Sequence, residues 1–389
     1  MATTSSSRHV LIVGGGYAGV LAANRARNRL RPHDRVTLLS DGPALVHRIR
    51  LHERLAGRTV PDLPFASLVG PGVTVMQARA QRVDAARKTV YTATGEALSA
   101  DALLLCLGSR LSAPIAGVVP YGDGLASAAR VDRAAEIVAA LPEGAPVVVV
   151  GGGLTAVETV AELAEAHPRL EVSLLAGELA PSLSARGRAY VRDTLDALGV
   201  RVAEGVRAAA ITDDAVHGAD GRVWPARLAV WAGGFDAAGP SVAHDLAADT
   251  KGRLRVEGDL GALGHAGVFV AGDAAAPPPG MDYLRMGCVS AMPMGAQAAD
   301  NAVRWLDGRE TEAMRFGFVV QCVSLGRRRG LVQSVTPDDR ATPRVVTGRT
   351  GALVKEGICR LVVGMIRAER WVDGAYQWPR SMPAAEALA

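Results

Sequence analysis

Apolar and polar positions along this chain follow one arrangement twice. His9 to Val13 is a continuous apolar run; Gly14-Gly15-Gly16-Tyr17-Ala18-Gly19 follows, then Val20 to Arg31, alanine-rich with helical spacing, then a second apolar run, Arg35 to Leu39. Continuous short runs predict strands buried on both faces, and the intervening spacing predicts an amphipathic helix. The order strand, glycine turn, helix, strand returns at Pro146 to Val150, Gly151-Gly152-Gly153-Leu154-Thr155-Ala156, Val157 to Ala166 and Glu171 to Leu175. Such a unit is the mononucleotide-binding half of a parallel α/β sheet.

The glycines carry the chemistry. Gly14 suits the tight turn, Gly16 lets the backbone approach a pyrophosphate, and Gly19 lets helix and strand pack closely, while the helix N-terminus offers free N–H groups to phosphate. Two units predict two nucleotide sites; a doubled scaffold with one site inactive is the plainer alternative. Two further apolar runs end in glycine, Ala102 to Gly108 and Leu228 to Gly234, and a third, Gly267 to Asp273, ends in an acid. At a strand's carboxyl end Asp273 can accept hydrogen bonds from a polyol chain, although a Gly-Asp pair also serves an ordinary turn.

Composition narrows the field. A chain of 389 residues, 49% hydrophobic and 21% charged, is long enough for two or three globular units and is not disordered. Forty-four glycines against 4% aromatics favour close backbone approach over a base-stacking surface. The net charge is +4, but the longest basic cluster is Arg327-Arg328-Arg329, so no nucleic-acid partner is expected. Cys106, Cys288, Cys322 and Cys359 lie far apart without ligand spacing, which predicts no metal site, no disulfide framework and a cytoplasmic setting. The polar N-terminus predicts no secretory leader, and no apolar run is long enough to span a bilayer.

In order and spacing these motifs resemble the two-dinucleotide-binding flavoproteins, and among them the type II NADH dehydrogenase family and its soluble relatives. Gly151 to Leu163 (GGGLTAVETVAEL) is similar to the nicotinamide-side motif, Trp231-Ala232-Gly233-Gly234 to the second strand-glycine motif, and Val268 to Ala274 to the flavin Gly-Asp motif. Tyr283 to Asn301 resembles the segment leading into the helix beside the flavin ring. The resemblance implies an α/β fold of two Rossmann-like, glutathione-reductase-type domains, the second inserted in the first, plus a small α+β C-terminal unit. Its divisions would be 1–116 with 245–315 for FAD, 117–244 for NAD(P)H, and 316–389. It assigns Gly14, Gly16, Tyr17, Ala18, Gly19, Ser40, Asp41, Arg48, Gly108, Gly272, Asp273 and Gln297 to FAD, and Gly151, Gly153, Leu154, Thr155, Glu158 and Gly233 to NAD(P)H. Glu162 and Gln297 are the implied catalytic residues, Glu162 to orient the nicotinamide or manage a proton and Gln297 to contact the ring. A carboxylate on a helix surface is the competing reading for Glu158 or Glu162 alone.

Departures from the family pattern fall at defined positions. The acid that usually holds the FAD ribose is Ser40 here, followed by Asp41, so either the hydroxyl substitutes or the register shifts by one. The comparable second position is Ala176, with Gly177 and Glu178 after it and Arg186 and Arg188 downstream, which leaves NADH and NADPH both open. The family's A-Q-x-A-x-Q pattern reads Ala296-Gln297-Ala298-Ala299-Asp300-Asn301, keeping one glutamine of two. Cysteine pairs such as disulfide reductases use are absent before Cys106; Cys288 and Cys322 read as small core residues, their pairing left open. In Val46 to Gly57, His47, Arg48 and His52 either approach the flavin or sit on an exposed helix face.

Beyond the second half of the first sheet, Phe318 to Leu325 and Leu331 to Val335 predict a hairpin closed by Gly326-Arg327-Arg328-Arg329-Gly330. Leu353, Val354, Ile358, Leu361, Val362, Met365 and Ile366 predict an amphipathic helix over 352–371 with Lys355, Arg360, Arg367 and Arg370 between them. By the resemblance that helix would hold the protein peripherally on the inner face of the membrane; a helix packed on the flavin domain or in a homodimer is the alternative. The expected function is FAD-dependent transfer of hydride from NAD(P)H to flavin N5 and of electrons onward to a quinone or other small acceptor. A flavoprotein tailoring oxidase or dehydrogenase, and a non-catalytic flavin or nucleotide sensor, are the alternatives.

Overall fold

The computed structural model describes residues 7–112, 115–116 and 128–381. The expected domain junction at 116/117 and the chain end beyond 381 therefore extend outside the described residues. Seven helices recur below: α1 Tyr17–Arg29, α2 Leu51–Leu55, α3 Ala128–Ala140, α4 Leu154–Ala166, α5 Ala185–Ala197, α6 Cys288–Leu306 and α7 Gly348–Glu369.

The first apolar runs are buried on both faces because they are inner strands of a parallel sheet. Its order is Val268–Val270, Ala102–Leu105, His9–Val13, Arg35–Ser40, Val73–Gln77. Residues 106–267 are inserted between two of its neighbouring strands. Within that insertion a second parallel sheet forms in the order Arg201–Ala203, Glu171–Leu175, Pro146–Val150, Leu228–Trp231. The fold is thus α/β with two Rossmann-like sheets, as the repeated pattern implied, the second inserted in the first, as the family resemblance implied. Each sheet also carries an antiparallel meander that the pattern did not disclose, at Ala80–Ser99 and Ala208–Pro225. Their strands are half exposed and too short for a clear alternation.

Helix α6 lies so close to α1 that a Cβ on Gly295 would stand 2.3 Å from the Ala18 carbonyl oxygen. A side chain there would force the helices apart and move the first glycine turn. The same interface buries Arg25, whose Nε meets Asp300 of α6 at 2.7 Å and whose Nη1 meets Glu369 of α7 at 3.1 Å.

The C-terminal unit extends the expectation. The hairpin forms, with Val320–Ser324 paired to Gly330–Val335, and a third strand, Ala341–Thr347, was not foreseen. Its alternation of exposed and half-buried residues gives the weak signal of an edge strand. Helix α7 begins at Gly348 rather than 352 and lies against α1 and the hairpin sheet. Val363 and Ile366 join the core of the first sheet, while Val323, Leu325 and Leu331 of the hairpin join that of the second. The unit therefore fastens the two sheets to each other. Of the expected apolar face, Leu353, Val354 and Leu361 remain exposed and Ile366 is buried. Among the described residues no helix is long and apolar enough to cross a membrane.

Candidate flavin and nicotinamide site

The carboxyl ends of the first sheet open onto a cavity of about 480 Å³. Ligands of open α/β sheets bind in this place, where neighbouring crossovers diverge. The first glycine turn forms one wall. Gly14 has φ +113°, and a Cβ there would stand 2.1 Å from the Cys106 carbonyl oxygen, so only glycine fits. Gly16 caps α1 without a side-chain bond, and no protein atom lies within 4 Å of where its Cβ would be. Free N–H groups facing open space at a helix N-terminus are what a pyrophosphate requires.

Of the residues assigned to the flavin, Gly14, Gly16, Tyr17, Ala18, Ser40, Asp41, Arg48, Gly108, Gly272 and Asp273 line this cavity. Gly19 supports it from beneath, packed against the Gly14 carbonyl. Ser40 is buried at the end of its strand and Asp41 is exposed at the rim, and both line the cavity.

Asp273 is fixed in place. Its Oδ1 accepts the Gly287 N–H at 2.8 Å and its Oδ2 accepts the Ser109 hydroxyl at 2.7 Å. Arg48 in turn donates to Ser109 Oγ at 3.0 Å and to its carbonyl at 2.7 Å. Ser109 went unnoticed in the sequence because a serine after a strand-glycine pair is indistinguishable from any turn residue.

Helix α4, which the second glycine turn opens, meets the same cavity through Thr155 and Glu158. Gly153, at the N-terminus of α4, again has open space where a Cβ would stand. Gly151, Leu154 and Gly233 belong to this second turn and its neighbouring strand end, outside the lining of the first cavity. Glu178, at the end of the second strand, is paired with Arg188.

Glu158 is the hub of the shared wall. Its Oε1 receives the Lys355 ammonium at 3.0 Å and the Ser324 N–H at 3.0 Å. Burial pushes the Glu158 carboxyl up, but Lys355 and Ser324 more than offset this and hold it below the usual range. Burial likewise pulls Lys355 down, and Glu158 reverses it, so the lysine stays charged. His52 Nε2 lies 3.2 Å from Ser324 Oγ, and burial lowers its pKa to about 4. His47 is neutral for the same reason, also lowered to about 4, and shares a hydrogen bond with the Tyr17 hydroxyl at 2.9 Å.

Lys355 was placed by pattern on the polar side of the C-terminal helix. It lies instead on the buried stripe Gly351, Lys355, Cys359, Val363, Ile366, and a lone lysine in register with such residues was the available signal.

Glu162 and Gln297 do not line the cavity. Glu162, fully buried one turn beyond Glu158, receives Arg58 Nε at 2.9 Å and Arg327 Nη2 at 3.0 Å. It ties α4 to the hairpin. Gln297 is buried in α6 and donates to Asn301, whose amide binds the carbonyls of Asp259 and Glu312. The surviving part of the glutamine pattern therefore anchors a loop. All four cysteines are free, and burial raises Cys288 to about 12 and Cys359 to about 11, which leaves neutral thiols unsuited to a relay. Among the described residues no cluster could hold a metal ion.

Residues 8–304 match the model of the family described as pyridine nucleotide-disulphide oxidoreductase. The chain belongs to this family. An NADH dehydrogenase-like protein of Mycobacterium tuberculosis is 29% identical over 82% of this chain and 85% of its own length. Human ferroptosis suppressor protein 1 is 26% identical over 85% of this chain and 89% of its own. Among solved structures, sulfide:quinone oxidoreductase of Aquifex aeolicus superposes with a TM-score of 0.78 at 19% identity, covering 93% of this chain and 92% of that one. The water-forming NADH oxidase of Lactobacillus brevis superposes with a TM-score of 0.71 at 19% identity, over 85% of this chain and 76% of that one. Members of this family are flavin- and pyridine-nucleotide-dependent oxidoreductases, which matches one glycine turn lining the cavity and the helix after the other entering it.

Proposed function

We propose that this protein binds FAD in the cavity of the first sheet and NAD(P)H at the second glycine turn, and passes electrons from the reduced nucleotide to a quinone or other small acceptor. The observation that carries this reading is the shared wall: Thr155 and Glu158 of α4, the helix that the second glycine turn opens, enter the cavity built by the first. A dinucleotide at each turn would then bring its reactive end to the same place.

The flavin, when bound, supplies the two-electron chemistry between nicotinamide and acceptor. The chain supplies the rest. Gly14 to Gly19 and the α1 N-terminus would hold the pyrophosphate, Ser40 and Asp41 the adenosine ribose, and Asp273 a hydroxyl of the connecting chain. Asp273 is suited to that task because Ser109 and Gly287 leave it preoriented with acceptor capacity to spare. Lys355 keeps a fixed positive charge on the wall, held by Glu158, where negative charge would otherwise be costly. His47 and His52, neutral and buried, add no competing charge.

Purified protein is expected to be yellow and to lose its flavin absorption on anaerobic addition of NADH or NADPH. A flavin that neither nucleotide bleaches would sink this reading, and bleaching by an organic substrate alone would favour a tailoring oxidase. The NADH dehydrogenase-like relative favours NADH, and the capture of Arg188 by Glu178 leaves one cation fewer for a 2'-phosphate.

A further inference from the structure

A second cavity, of about 580 Å³, lies on the far side of Lys355 from the flavin cavity, and that lysine lines both. Its walls are the arginine turn of the hairpin, the first turns of α7, and the segment entering α2. Five cations, Arg50, Arg327, Arg328, Arg349 and Lys355, face it against two carboxylates, Glu53 and Glu356. Most of these charges are spent on each other. Arg50 holds Glu53 at 2.9 Å and Glu356 at 2.8 Å, and Arg327 holds Glu53 at 3.1 Å and Glu162 at 3.0 Å.

Arg328 and Arg349 are different. Neither side chain has a hydrogen bond or ion pair among the described residues, and they approach the cavity from separate elements. Helix α7 adds to the same sign: Thr347 makes no side-chain cap and the first turn holds no acid, so no carboxylate of its own offsets the N-terminal dipole, although the Gly348 N–H donates to the Tyr190 hydroxyl at 2.9 Å. The apolar part of the lining, Ala352, Leu353 and Cys359, lies beside these cations, with Leu353 73% exposed at the rim. A cavity with an apolar strip and two unspent guanidiniums fits a molecule with an apolar body and an acidic group.

We infer that this cavity is the acceptor site and that the acceptor is a quinone-like ring carrying a sulfonate, carboxylate or phosphate. The inference rests on the oxidoreductase reading above. In the net reaction NAD(P)H gives up a hydride, and the ring takes two electrons and two protons, the second proton coming from solvent, and leaves as the hydroquinone. Lys355 stands between the two cavities, so the ring binds within one side chain of the flavin position. Arg328 and Arg349 hold the acidic group and take no part in proton or electron movement.

The test uses the oxidised holoprotein and the variant R328Q/R349Q, whose altered side chains are exposed and release no buried partner. Calorimetric titration with 2-naphthalenesulfonate, which undergoes no reduction, is expected to show binding that weakens about tenfold or more in the variant, as loss of charge-assisted bonds requires. In turnover with NADH, the KM for 1,2-naphthoquinone-4-sulfonate rises by a similar factor with kcat retained, while the KM for neutral menadione stays put. Equal sulfonate binding by both proteins, no binding by either, or parallel changes for both quinones would overturn the inference. So would vesicles of phosphatidylglycerol that sediment the wild type but not the variant while the sulfonate titration stays flat, since the arginines would then serve lipid headgroups. If neither nucleotide bleaches the flavin yet the sulfonate titration still separates the two proteins, the oxidoreductase reading fails and the anion site stands.

Discussion

Replacing Lys355 by methionine removes the cation that compensates Glu158 inside the wall between the two cavities. Both side chains are nearly buried, at 13% and 12% exposure, and the ammonium lies 3.0 Å from Oε1. Breaking a buried pair from one side leaves an uncompensated charge and costs about 3–5 kcal/mol, whereas replacing both partners by neutral groups is often close to neutral. Glu158→Gln should therefore cost about as much as Lys355→Met, and the double variant about 2 kcal/mol or less, because glutamine can still accept the Ser324 N–H. The coupling energy is then at least about 4 kcal/mol. Urea unfolding of the four proteins, followed by tryptophan fluorescence, measures it. The sign with pH is fixed as well. Glu158 has a lowered folded pKa, so the stability it contributes is present above the unfolded value and lost as pH falls through the folded one. The Lys355→Met penalty should shrink in acid accordingly. Additive single-site losses, with no coupling beyond about 0.5 kcal/mol, would refute the ion pair as the organiser of the wall.

Glu162→Gln is expected to leave the rate of flavin reduction by NADH unchanged in stopped-flow experiments while lowering stability, because Glu162 contacts Arg58 and Arg327 rather than the cavity; a tenfold slower reduction would return it to the site. Stability should also fall as pH drops from 6.5 to about 4. His47 and His52 have depressed folded pKa values, so the unfolded chain binds more protons there, each histidine accounting for about 3 kcal/mol across that window. His52→Asn should flatten the profile by about one proton, measured as the slope of unfolding free energy against pH; an unchanged slope would contradict a neutral buried His52.

The repeated glycine pattern disclosed both sheets because each of its features is local. A five-residue apolar run, a turn that tolerates only glycine at Gly14, and an alanine-rich helix are dictated by neighbours in sequence, and Gly14 is confined by a carbonyl that any strand in that place would present. The same locality explains why the meanders and the strand Ala341–Thr347 were missed: half-exposed strands carry too little alternation. Glu158 and Glu162 share a helix face one turn apart, so the pattern could not separate them. Only the arrival of Lys355 at one and of Arg58 and Arg327 at the other did.

By itself the sequence determined the fold class, the two glycine turns and most of the lining of the first-sheet cavity, since backbone conformation at glycine and continuous strand burial leave few alternatives. Tertiary structure alone decided what lies opposite them. Lys355, Ser324 and the unspent arginines arrive from the last quarter of the chain, and the hairpin and α7 bring them to residues more than 150 positions away. Electrostatics depends on such separations in space, and no periodicity along the chain encodes which charge will meet which.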